Sequence, residues 1–175
     1  MENKIKLVPL KESEKNKFIT NIQAAFKIAA IKEFGDNGEE IISKEDVEKS
    51  FNAKGAESYN VVYNDQIVGG TIIVINNKTN HNSLDLLFIN PEFHTQGLGL
   101  LVWTTIEKLH PETKVWETHT PYFEKRNIHF YVNKCGFNIV EFFNPQHKDP
   151  HNSDNIVGGD YFFRFEKNMK YQLNT

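Results

Sequence analysis

The chain has 175 residues, 39% of them hydrophobic and 13% aromatic, which is enough to bury one good-sized core and not two, so a single domain over 1–175 is expected. A net charge of −3 and a pI near 6.2 give no concentrated basic face, and no apolar run is long enough to span a bilayer, so neither nucleic acid nor membrane is an expected partner. The lone cysteine, Cys135, allows no internal disulfide, and the Met-Glu-Asn-Lys start lacks the apolar core of a signal peptide; a cytoplasmic location is the simplest expectation.

In chain order, Ile5–Val8 reads as a short strand near a sheet edge, closed by Pro9. From Glu12 the apolar stripe Phe18, Ile22, Ala25, Phe26, Ala29 has helical spacing, and Gly35-Asp36-Asn37-Gly38 stops it. An acidic run holding Glu39 and Glu40 leads to a second helix, in which Ser43 and Asp46 resemble a capping box, Val47 and Phe51 share a face, and Gly55 marks the end. Tyr59–Tyr63 and Ile67–Ile75 are β-branched and aromatic, joined by the turn residues Asn64-Asp65-Gln66. Asn76–Asn82 is polar, and Leu84–Ile89 is the next strand. After Pro111, Lys114–Thr120 reads as a strand broken by Pro121; Ile128, Tyr131, Val132 and Cys135 lie on one helix face that Gly136 ends. Asn138–Phe143 and Tyr161–Phe165 close the chain as strands, with polar Asn144–Gly159 between them.

The stretch most informative about chemistry is Leu84–Leu101, LDLLFINPEFHTQGLGLL: a strand, a Pro-initiated turn, then Gly-x-Gly opening into an amphipathic helix. The first amides of a helix have no intrahelical partner and lie at the positive end of its dipole, so this junction is built to face an anion. Gly97 and Gly99 remove the Cβ that would keep a ligand from the backbone. A dinucleotide fingerprint would want a third glycine where Val102 stands, and a nucleotide P-loop would want Gly-Lys-Ser/Thr; neither is present.

The stretch resembles the GNAT superfamily of acetyl-CoA-dependent N-acetyltransferases, in which a strand and Pro-Glu-Phe precede a pyrophosphate loop of form Gln/Arg-x-x-Gly-x-Gly/Ala. Here that loop is His94-Thr95-Gln96-Gly97-Leu98-Gly99, with His94 in the Gln/Arg place. The element order β-α-α-β-β-β-α-β-α-β-β is that of the family over nearly the whole chain. The resemblance implies an α/β (α+β) fold: a mixed, twisted sheet with helices on both faces, whose strands flanking the glycine-loop helix run parallel and splay around the cofactor's thioester arm. It also implies acetyl-CoA as co-substrate; no metal is expected, since no residue spacing matches a specific site. Transfer would go to a primary amine of a small molecule, such as a polyamine, amino acid or amine-bearing antibiotic; a protein or peptide amine, or a silent acyl-CoA-binding module, are the alternatives. A homodimer is expected on general grounds.

Acetyl transfer from a thioester to an amine needs a held cofactor, a polarised carbonyl, a neutral amine and a proton for the thiolate. The resemblance assigns holding to the amides of His94–Gly99, and polarisation to the N–H groups of Leu87, Phe88 and Ile89 where the strand bulges. It matches Tyr131, on the helix before Gly136-Phe137, to the acid. Two departures stand out. Four residues separate Tyr131 from Gly136 where the family has three, and Glu124 occupies the place of the family's cofactor-contacting asparagine, for which Asn127 is the nearest substitute. For the base, Glu117 and His119 lie two apart on one strand face, and Asp85 on the preceding strand is a third candidate. Cys135 reads as a small core hydrophobe. His147, Asp149, His151 and Asp154 have metal-binding residue types in a spacing that matches no specific site.

Overall fold

The computed structural model describes residues 4–38, 40–151 and 161–169, so Glu39, Asp154 and the rest of 152–160 in the last connection lie outside the described residues. The elements are β1 (Ile5–Pro9), α1 (Lys15–Phe34), α2 (Lys44–Asn52), β2 (Ala56–Tyr63), β3 (Gln66–Val74), β4 (His81–Ile89), α3 (Leu98–Leu109), β5 (Val115–Pro121), α4 (Lys125–His129), β6 (Asn138–Phe143) and β7 (Phe162–Asn168). They form one seven-stranded sheet in the order β1-β2-β3-β4-β5-β7-β6, placing β1 at an edge as its Pro9 predicts.

Local chemistry accounts for the boundaries. Gly35 ends α1 at φ +77°. Ser43 caps α2: its hydroxyl accepts from the Asp46 amide at 3.1 Å and donates to the Asp46 carboxylate at 2.9 Å. Three strands run longer than the sequence pattern predicts, β2 beginning at Ala56, β4 at His81 and β7 continuing to Asn168. Polar residues enter β4 because they are satisfied there; Asn82 is buried and donates to Thr113 Oγ1 at 2.8 Å.

The sheet is covered on both faces. Phe18, Ile19, Ile22 and Ala25 of α1 and Val47 of α2 pack with Ile72 and Phe88 on one side. Leu98, Val102, Trp103 and Ile106 of α3 join Tyr131, Cys135 and Phe137 against Val61, Ile73, Leu84, Trp116 and Phe165 on the other. Each fully buried side chain of this size stabilises the fold by about 1.5–3 kcal/mol.

Two irregularities of the sheet bear on the site. Against β3, Ile72 pairs with Leu86 and Ile73 with Leu84, leaving Asp85 as the extra residue of a β-bulge. The bulge moves side chains across the sheet: Leu84 packs with α3, whereas Leu86, two residues on, packs with α1 and α2. The second irregularity lies between β4 and β5, the one parallel pair. Only His81↔Val115, Asn82↔Trp116 and Ser83↔Glu117 are in register. Beyond them both strands continue, to Ile89 and Pro121, without pairing. The result is the open split that the family resemblance predicts.

Candidate active site

The glycine loop sits at the mouth of this split. Pro91–Gln96 forms a 3₁₀ turn, Gly97 adopts the left-handed conformation (φ +66°, ψ +17°), and α3 starts at Leu98. A Cβ built on Gly97 would meet nothing within 4 Å, so the loop is open on that side, and the first amides of α3 have no intrahelical partner. Gly99 also serves the packing: its missing Cβ leaves room for the Phe130 ring, which would lie 3.2 Å away. It therefore lets α3 and the helix after β5 approach each other. Thr95 and Gln96 are on the outer side of the turn, and Leu98 is buried in the core.

His94 turns inward, with Nε2 2.6 Å from the carbonyl of Ile89. Arg126 of α4 reaches over the loop, its Nη2 donating to the His94 carbonyl at 3.2 Å and its Nη1 lying 3.4 Å from His94 Nδ1. A guanidinium has only donors, so Nδ1 must accept and the proton belongs on Nε2, where it is donated to Ile89. His94 thus fixes a cation beside the cradle. Arg126 is a residue that the glycine pattern alone does not reveal; the basic pair Lys125-Arg126 is the sole hint in the sequence.

The β4 wall supplies backbone donors. Thr71 Oγ1 donates to the Leu86 carbonyl and the Asn90 amide to the Val68 carbonyl, so even-numbered residues here point toward β3. By alternation Leu87 and Ile89 direct their N–H groups into the split, in agreement with the Ile89 carbonyl meeting His94 there. Phe88 instead sends its N–H to β3, opposite Gly70, and its ring packs edge-on to Phe18 at 5.0 Å. The bulge lies at Asp85 rather than at Leu87–Ile89; it sets which amides face the split without freeing them itself.

The opposite wall comes from β5 and α4. α4 proper is short, and Phe130–Lys134 continues it as a π-helical turn, closed by the Cys135 amide donating to the Phe130 carbonyl at 3.0 Å. This wide turn accommodates the fourth residue between Tyr131 and Gly136. Tyr131 is buried at 6% exposure among Phe130, Phe137 and Phe165, with its phenol near Thr118 of β5. Burial pushes that phenol well above the usual 10. Asn127 is half-buried on the same helix.

Glu124, at the start of α4, is 7% exposed, and among the described residues its carboxylate has no side-chain hydrogen bond. Desolvation pushes it up to about 7, against the pull of Arg126. No spacing rule marks such a carboxyl; its burial has to be seen.

Asp85, Glu117 and His119 come together on the other face of the sheet, all of them within electrostatic reach of His119 together with Asp149 and Arg164. Glu117 is engaged: Arg164 Nη1 donates to it at 3.1 Å, and His81 Nε2 lies 3.4 Å away. Asp85 is exposed and accepts from Ser83 Oγ at 2.7 Å. His119 stacks on Phe143, centroids 6.2 Å apart, and desolvation on that side lowers its pKa below 6.5. Cys135 is buried and burial pushes its thiol up to about 12, as expected of a core residue. His147 pairs with Glu141 at 2.8 Å, and Asp149 accepts from the His151 amide at 2.9 Å; the loop's polar groups are used locally. Among the described residues, His81, Glu117 and Glu166 bring ligand-type atoms within 4.8 Å of one another, but the Arg164 guanidinium already bridges the two carboxylates.

A parallel pair splayed at its C-terminal ends, with a glycine-opened helix at the mouth, defines an acyl-CoA-type transferase fold. The acetyltransferase (GNAT) family model matches residues 23–137, and the chain belongs to this family. It is 50% identical to the uncharacterized protein YrkN of Bacillus subtilis (strain 168), over 97% of this chain and 96% of that protein. Among solved structures, the spermidine N-acetyltransferase of Vibrio cholerae in complex with CoA and spermine is similar in fold, with a TM-score of 0.70 at 15% identity over 98% and 99% of the two chains. The ribosomal-protein-S18-alanine N-acetyltransferase of Escherichia coli gives a TM-score of 0.66 at 12% identity over 94% of each chain. Among the described residues no helix is long and apolar enough to cross a membrane.

Proposed function

We propose that the protein transfers the acetyl group of acetyl-CoA to a primary amine of a small molecule by direct attack in a ternary complex. The observation that carries this reading is the junction of the β4/β5 split with the Gly97 cradle: one end offers free helix amides to a pyrophosphate, the other offers the Leu87 and Ile89 N–H groups to a carbonyl. Bound there, the cofactor supplies an activated acetyl thioester.

The chain's own groups divide the remaining work. The amides of His94, Thr95, Gln96, Gly97, Leu98 and Gly99 cradle the pyrophosphate, with Arg126 adding a positive charge held by His94. Asn127 contacts the cofactor arm. Tyr131 keeps its proton at any working pH and so acts as a hydrogen-bond donor toward the sulfur. His119, neutral at pH 7, accepts the proton of the incoming ammonium, with Asp85 and Glu117 orienting and attracting it. Asp85, Asp149 and Glu117, which act together on His119 against the single Arg164 charge, favour a cationic acceptor such as a polyamine.

The test is a thiol-release screen of polyamines, amino acids and amine-bearing antibiotics at pH 7.5. Turnover with an intersecting initial-rate pattern is expected for at least one amine. Cofactor binding with no turnover on any amine would instead establish a silent acyl-CoA-binding module.

A further inference from the structure

Resting on that reading, we infer that Arg126 is the side chain that grips the cofactor's pyrophosphate, and that His94 is a positioning residue that holds it at the cradle. The turn and cradle, residues 91–99, contain no lysine or arginine; Glu92 and His94 are their only titratable residues. A cation for the phosphates therefore has to come from another element. Arg126 is exposed on α4, and it is the cation that the described hydrogen bonds bring to the loop.

Its place is fixed from two sides. Phe130, four residues on and so on the same helix face, packs beside Gly99, which docks this face on the start of α3. His94, three residues before Gly97, then holds the guanidinium twice: its carbonyl accepts from Nη2 at 3.2 Å, and its Nδ1 lies 3.4 Å from Nη1. The ring is itself anchored, Nε2 lying 2.6 Å from the Ile89 carbonyl, which leaves Nδ1 as the acceptor. Ile89 ends β4 and Arg126 belongs to the helix after β5, so these contacts span the mouth of the split. They engage two of the five guanidinium N–H groups. Among the described residues no carboxylate is hydrogen-bonded to the other three; Glu124 feels the charge of Arg126 without bonding to it. A planar fork with spare donors suits the paired oxygens of a phosphate. An exposed arginine ordinarily loses rotamer freedom when it binds an anion, and here His94 has ordered it beforehand.

The experiment is calorimetric titration at pH 7.5 with acetyl-CoA, CoA and dephospho-CoA, on the wild type, Arg126→Ala, His94→Leu and the double variant, each checked for folding by thermal melting. Arg126→Ala should weaken all three ligands by about 10- to 30-fold, since each carries the pyrophosphate. His94→Leu should cost about fivefold alone and under about twofold when residue 126 is already alanine, because His94 acts through the guanidinium. Undiminished binding by Arg126→Ala, or a loss confined to the two ligands with a 3′-phosphate, would overturn the assignment of Arg126 while leaving the cofactor reading intact. Losses that add fully in the double variant would overturn the positioning role of His94. A wild type that binds none of the three would overturn the cofactor reading as well.

Discussion

The two walls of the split are built from different materials. On the proposed reading the β4 wall and the glycine loop work through backbone: amides of Leu87 and Ile89, and the first amides of α3 after left-handed Gly97. On the same reading the β5–α4 wall works through side chains, Arg126 and Tyr131, held by a π-turn and a buried aromatic cluster. A wall made of backbone depends on chain conformation and tolerates side-chain change, as His94 in the place of glutamine or arginine illustrates. A wall made of side chains depends on where each carbon chain ends, and one inserted residue has to be absorbed by widening a helical turn.

That contrast can be broken experimentally. The largest effect belongs to Gly97→Val, which puts a β-branched residue at a positive φ and fills the open side of the cradle. Acetyl-CoA affinity should fall at least about 100-fold, equivalent to about 2.7 kcal/mol, while the variant still folds. Calorimetry and thermal melting together check this, and undiminished binding would mean that the backbone wall does not hold the cofactor. Tyr131→Phe should come next, with kcat lower by about tenfold, cofactor affinity kept, and stability changed by about 1 kcal/mol for the lost hydroxyl near Thr118. Equal losses in affinity and kcat would mean that the tyrosine acts by packing alone.

Glu124→Gln sharpens the comparison through stability. Because the folded carboxyl titrates near 7 rather than 4.5, the unfolded chain releases its proton first as pH rises. Wild type therefore loses stability between about pH 4.5 and 7, and the loss is constant above that window. The glutamine variant should be more stable than wild type by about 2 kcal/mol at pH 8 and show almost no gain at pH 4.5, read from urea unfolding at the two pH values. A pH-independent difference would mean that the carboxyl is solvated. The smallest effect is expected for His94→Gln. Acetyl-CoA affinity should stay within about threefold of wild type, since the amides remain and glutamine restores a side-chain donor.

The same contrast explains how far the sequence could be read. Every helix and strand is visible in the apolar spacing, and the split follows from a parallel pair flanking a glycine-opened helix. Gly97 is legible because a left-handed residue before a helix leaves a chemical signature in sequence. The bulge at Asp85 is not legible: Leu84, Asp85 and Leu86 look like plain alternation, and the register against β3 alone reveals that Leu84 and Leu86 face opposite sides. Phe88 is for the same reason assigned to the split by sequence when its amide belongs to β3. Gly99 reads as a ligand contact, and its packing role, leaving room for Phe130, is not legible. Glu124 reads as a departure from a pattern, and its burial gives it a chemical property that no neighbouring residue type foretells.

Whether the split and its cradle hold acetyl-CoA is decided by calorimetric titration of the protein with acetyl-CoA, CoA and dephospho-CoA. One site per chain with micromolar affinity for acetyl-CoA and CoA, lost in Gly97→Val, is the expected result. Absence of binding by the wild-type protein would contradict it.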